Sequence, residues 1–256
     1  MKETKSQVAT SSQTVVHSSS RKEMLLRHLK SSYIQPLEDF YLGVLQNIPA
    51  NIYGDLLIGI GYNFEHYDLM FSKMAFNLQN TFGDTAYSIR YKTMQYLLQP
   101  FCSEYGIEAN RPLYQTHREL YANFYRELVG QDIPEMYPEE SSNPWLQCSI
   151  RWAKIMYDAL DAEGYSPNEK AIYNVAYHWA VEYLSITEFD LMRQGWQKLN
   201  ISARYLDAHC AVEDEHGDYA EKAVFEISEP DNPIVVRAIQ DHEEHLGGYY
   251  KSLTLL

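Results

Sequence analysis

From Arg21 to Leu256 the apolar positions recur at helical spacing, and no stretch alternates apolar and polar residues for more than four positions. The pattern predicts helices over about 22–32 and 37–46, parted near Pro36, then over 52–79, 84–105 and from just after Pro112 to about Val129. Further helices are expected over 144–163, 166–199, 201–227 and 232–246. The helix from Ile52 carries Leu56, Ile60, Phe64, Met70 and Met74 along one side, which marks a core-facing stripe. Asp84 offers an N-cap, Gly106 a helix stop, and Pro167 suits the first turn of a long helix that is expected to bend. The segment Gln131–Asn143 carries Pro134, Pro138 and a run of carboxylates, and reads as an exposed loop. Met1–Ser20 is rich in Ser and Thr and nearly free of large apolar side chains, the composition of a disordered tail. There is no internal repeat. The expectation is one all-α domain over residues 21–256.

Composition narrows the partners. A net charge of −14 argues against nucleic acid and anionic membrane surfaces, both of which call for a basic patch. The three cysteines, Cys102, Cys148 and Cys210, are far apart and form no CxxC, so neither a disulfide frame nor a zinc knuckle is indicated. No apolar run approaches the roughly 18 residues of a membrane span, and the first twenty residues lack the apolar stretch of a signal peptide. A cytoplasmic protein is expected. The 22 tyrosines fit either half-buried rings with a polar tip or a tyrosine-lined pocket.

Candidate chemistry concentrates at Ala208–His216. At about 100° per residue, His209, Glu213 and His216 fall within an arc of about 60° on one helix face. Two imidazoles and a carboxylate so placed are ligands for iron, manganese or zinc. The competing reading is a solvated face, since Asp214, Glu215 and Asp218 lie close by. A ferritin-type site would need two Glu-x-x-His pairs, and only Glu213-x-x-His216 fits. Further ligands could come from Glu104 and His117, which the break at Gly106 and Pro112 could turn toward one point, or from Glu182, a carboxylate on an apolar face beside Val175, Trp179 and Ile186. His178 and Glu188 share that helix. Asp241-His242-Glu243-Glu244-His245 points in all directions and reads as a solvated C-terminal cap, and Glu65-His66 as a neighbour of the site at most.

Taken in order, Glu104-Tyr105-Gly106, then His117-x-x-Leu120-Tyr121-x-x-Phe124-x-x-x-Leu128, then the lone Glu182, then His209-x3-Glu213-x2-His216 form a pattern that resembles the haem-oxygenase-like di-metal oxidases. It is most similar to the proteins related to the chlamydia protein associating with death domains. The early helix Leu37–Tyr41 resembles that family too, and the likeness runs over about residues 35–225. It implies a bundle of seven to eight helices around a central pocket. It further implies two irons, or an iron–manganese pair, held by Glu104, His117, Glu182, His209, Glu213 and His216, with O2 as co-substrate and a small organic molecule oxidised in the pocket. A homodimer is compatible with such a bundle.

The chain departs from the family pattern in three ways. The gap between Glu104 and His117 is longer, which brings Glu108 into competition for the ligand role. Position 213 is Glu where Asp is common, and His178 stands one turn before Glu182. The chlamydial relative is associated with making p-aminobenzoate from a tyrosine of its own chain. Tyr41 matches that tyrosine by position, but Met192 or Arg193 replaces the lysine that accompanies it, so that activity is not carried over. Two other classes share the fold expectation. One is a metal-free relative, either a thiaminase-like hydrolase, for which Cys102 and Cys210 are the available nucleophiles, or a cofactorless oxidase. The other is a helical binding protein with no activity, for which the acidic run 135–140 would be a partner surface.

Overall fold

The computed structural model describes residues 21–107, 115–137, 141–202 and 204–256. The expected tail, Glu108 and residues 138–140 lie outside the described residues. Those described hold nine α-helices and no β-strand. Two short helices, α1 (residues 21–26) and α2 (Ile34–Glu38), precede seven long ones: α3 Tyr53–Gln79, α4 Tyr87–Glu104, α5 His117–Val129, α6 Pro144–Ala159, α7 Pro167–Lys198, α8 Arg204–Ile227 and α9 Pro233–Leu253. No helix among the described residues is long and apolar enough to cross a membrane.

The bundle is built around α7. Every residue from Ala171 to Ala180 is buried, so this helix has no solvent face over that stretch. A helix apolar on all sides belongs in the middle of a core, and α3, α8 and α9 pack around it. Trp179, Tyr177, Leu184 and Trp196 are fully buried along its length, and removing each such side chain from water contributes about 1.5–3 kcal/mol. α4 and α5 pack against α8, and α6 against α3 and α9.

Several boundaries differ from the pattern-based expectation. α1 ends before Lys30, because Ser31 turns into the left-handed region (φ 58°) and the Glu243 carboxylate takes up the Lys30 and Ser32 amides at 2.8 and 2.6 Å. Pro36 does not separate two helices. It lies in the first turn of α2, where its missing N–H costs nothing, and the backbone runs on as a π-helical segment, Asp39–Val44. Asp84 sits in the turn before α4, its amide bonded to Thr81 O at 2.9 Å, and α4 starts at Tyr87 without a side-chain cap. α6 stops at Ala159, where the Asn77 and Asn174 amides donate to Leu160 O at 3.0 and 2.9 Å. α9 continues through Gly247-Gly248 to Leu253. Two internal glycines cost about 1 kcal/mol each, which the burial of Leu246, Tyr249, Tyr250 and Leu253 outweighs.

Candidate metal centre

Four helices meet at one side of a cavity of about 460 Å³. Each brings its polar side chains there for a local reason. α4 ends on Glu104. Gly106 takes the left-handed conformation (φ 66°), and the amides of Gly106 and Ile107 close back on Ser103 O and Cys102 O at 2.9 Å. α5 begins at His117 because Thr116 caps it: Thr116 accepts from the Glu119 amide at 3.1 Å, and Glu119 accepts from the Thr116 amide at 2.8 Å. α7 contributes Glu182. α8 presents His209, Glu213 and His216 on one buried face, with 3–4% of each exposed, so the solvated-face reading does not hold.

The six side chains come together as two groups of three. Glu104, His117 and His209 place one ligand atom each within 4.8 Å of one another, and so do Glu182, Glu213 and His216. The groups abut. His209 Nδ1 is 2.7 Å from Glu213 Oε1, and the His117 and His209 rings lie 4.2 Å apart. His216 Nδ1 stands 3.6 Å from Glu182 and 3.8 Å from Glu213. Phe189 stacks on the His209 ring at 4.0 Å, with Phe64 and Tyr205 beyond it, so that imidazole has a fixed plane and a dry surround.

The donors fit a cation in three respects. His209 Nδ1 is hydrogen-bonded to Glu213, and its Nε2 is buried with no hydrogen-bond partner. His117 Nδ1 lies 2.7 Å from Glu104 Oε2 yet makes no hydrogen bond. Two donors that close without the geometry of a mutual bond are placed as ligands of one ion are. Finally, three carboxylates are crowded together, Glu182 and Glu213 buried and Glu104 half-buried. Burial, then the charge of Glu182, pushes the Glu213 carboxyl up. Burial also raises Glu182, but His178, His216 and the Tyr67 hydroxyl outweigh it and hold that carboxyl low. His216 would be lowered by burial, but the adjacent carboxylates carry it up to about 9, whereas burial takes His209 down to about 3. Two divalent cations would relieve this crowding directly.

The flanking groups include several that helical spacing along the chain does not reveal. Tyr67 on α3 donates to Glu182 at 2.6 Å, and no local pattern links residues 67 and 182. Ser185 donates to Glu213 at 2.6 Å; its place one turn after Glu182 on the same face is a signal that the sequence did carry. The capping box at Thr116–Glu119 was also legible and fixes where His117 begins. His178 belongs to neither group and flanks Glu182, its Nε2 at 3.3 Å. The Asp241–His245 run is not a solvated cap. His242 and Glu243 are buried, and His242 lines the cavity. Glu65 pairs with Arg118, and neither His66 nor any cysteine lines the cavity.

No family model and no curated protein matches the chain. Its architecture is the all-α, haem-oxygenase-like helical bundle. Within that class a solved structure aligns with it: a CADD-like protein of unknown function from Nostoc punctiforme, with a TM-score of 0.66 over 94% of this chain and 98% of the other. The two are 14% identical, so the likeness is one of fold.

Proposed function

We propose that the protein is an O2-dependent oxidase or oxygenase with a dinuclear non-haem metal centre of two irons or an iron–manganese pair, acting on a small organic molecule in the central cavity. The observation that carries this reading is the pair of carboxylate–imidazole groups, one buried and one half-buried, joined through His209 and Glu213 at the cavity wall. Glu104, His117 and His209 would hold one metal, and Glu182, Glu213 and His216 the other. Bound there, the metals would supply the activation of O2.

The chain's own residues prepare the site. Tyr67 and Ser185 each donate to one carboxylate and so fix which oxygens face inward, a role that commonly tunes metal affinity. Phe64, Phe189 and Tyr205 wall His209 off from water, which protects a reactive oxidant from quenching. The thiaminase-like alternative finds little support. Cys210 does not line the cavity, and burial pushes its thiol up, away from the thiolate that a nucleophile requires.

The test is to load the protein with Fe(II) without air, desalt it, and mix it with O2 while following visible absorption and O2 uptake. A transient visible band with O2 consumed in proportion to bound iron is expected. Stable Fe(II) that takes up no O2 would contradict an oxidase.

A further inference from the structure

One charged group in the cavity has no part in the metal centre. Glu188 lies six residues beyond Glu182 on α7, about 9 Å further along the helix axis. It lines the cavity but belongs to neither ligand group. The Tyr250 hydroxyl donates to its Oε1, and Tyr250 is itself held by Tyr41 at 2.8 Å, so one carboxylate oxygen is anchored by a buried phenol pair. The groups that act on it are Tyr250 and Glu213, neither of them a cation.

Of the other acids around the cavity outside the ligand groups, one is paired with a cation and the other sits in a solvent-exposed hydrogen bond. Glu65 pairs with Arg118, and Asp68 accepts from Tyr105 at 2.7 Å. Among the described residues no lysine lines the cavity, and Arg118, which does, is taken by Glu65. Once two metals balance the ligand carboxylates, the uncommitted charge left in the cavity is negative. It stands beside the rings of Phe189, Tyr249 and Tyr250, whose faces attract cations. A fatty-acid carboxylate would find no lysine here and the lining arginine already paired.

Taking the two groups as the metal centre, we propose that Glu188 binds a cationic nitrogen of the substrate. The substrate class is then an amine or guanidine whose charge is held at Glu188 while the position to be oxidised faces the metals. Burial pushes the Glu188 carboxyl up to about 7, so an arriving cation would displace its proton and complete the pair.

The probe pair is octylammonium and its neutral counterpart 1-octanol, titrated calorimetrically into protein loaded with redox-inert Zn(II). The zinc neutralises the ligand carboxylates and leaves Glu188 as the cation's partner. Octylammonium should bind at least about tenfold more tightly than octanol, and Glu188→Gln should erase that preference while leaving octanol affinity and zinc content unchanged. Equal binding of the two probes by the natural protein would overturn the proposal without recourse to a variant, as would a preference that survives E188Q. Zinc content is read separately. A chain that retains no zinc would sink the metal-centre reading, whereas an unaltered probe preference in E188Q sinks the role of Glu188.

Discussion

Two runs of this chain look alike in composition and end up differently. Ala208–His216 on α8 and Asp241–His245 on α9 are both rich in His and acid, and each buries some of those residues while exposing others. On α8 the residues of interest are three and four positions apart, so they share a face and converge with Glu182, Glu104 and His117. On α9 they are consecutive and fan out at about 100° each. Asp241 takes the Tyr173 hydroxyl at 2.8 Å, His242 meets the Tyr177 ring, Glu243 grips the backbone of Lys30 and Ser32, and His245 bonds to the Tyr177 hydroxyl at 2.9 Å. The α8 run thus gathers donors at one point, and the α9 run distributes them as fasteners of the N-terminal segment and α7. Spacing rather than composition separates the two outcomes.

That contrast can be broken most forcefully on α8. His209→Ala should cut retained iron from two per chain to one or none, read by elemental mass spectrometry after desalting, while the fold by circular dichroism stays intact. Full occupancy in this variant would show that the convergence is incidental. The matching change on α9, Glu243→Ala, should do the reverse. It strands the amides of Lys30 and Ser32 and is expected to cost about 2–4 kcal/mol in chemical denaturation with metal content unaltered.

The pH dependence of metal affinity follows from the protons that must leave. His216, raised to about 9, and Glu213, raised to about 7, are both protonated more often in the metal-free protein than free side chains would be. Binding therefore releases protons, and affinity should rise with pH up to about 9 and fall on the acid side of 7. Calorimetry in buffers of different ionisation enthalpy reads the number released. A release indistinguishable from zero at pH 7 would contradict the buried ligand set. Smaller effects are expected beside the ligands. Tyr67→Phe should weaken metal binding by about 10–100-fold with occupancy recoverable at high metal. Asp241→Asn on α9 should leave metal binding alone and shift stability by about 1 kcal/mol at most, since the amide oxygen can still accept from the Tyr173 hydroxyl and the ion-pair partner lost, Arg237, is largely exposed.

What could be read from the chain follows the same division. Periodicity within a helix fixes relative angles, and it found the all-α class, most of the long helices and the shared face of His209, Glu213 and His216. It does not say how helices cross. The contact of Tyr67 with Glu182 spans 115 positions between two helices and leaves no trace in either. The extension of α9 past Gly247-Gly248 was missed because local propensity ends the helix there, while burial of Tyr249 and Tyr250 continues it. The burial of Glu243 leaves no local trace because its donors, the Lys30 and Ser32 amides and the Ser32 hydroxyl, lie more than 200 positions away.

Two abutting ligand groups, one buried and one half-buried, imply that the chain holds two metal ions. This is tested most directly by the iron content of the natural chain after anaerobic Fe(II) loading and desalting, measured by elemental mass spectrometry against protein concentration. The account predicts close to two irons per chain. A chain that leaves the column with no iron would contradict it.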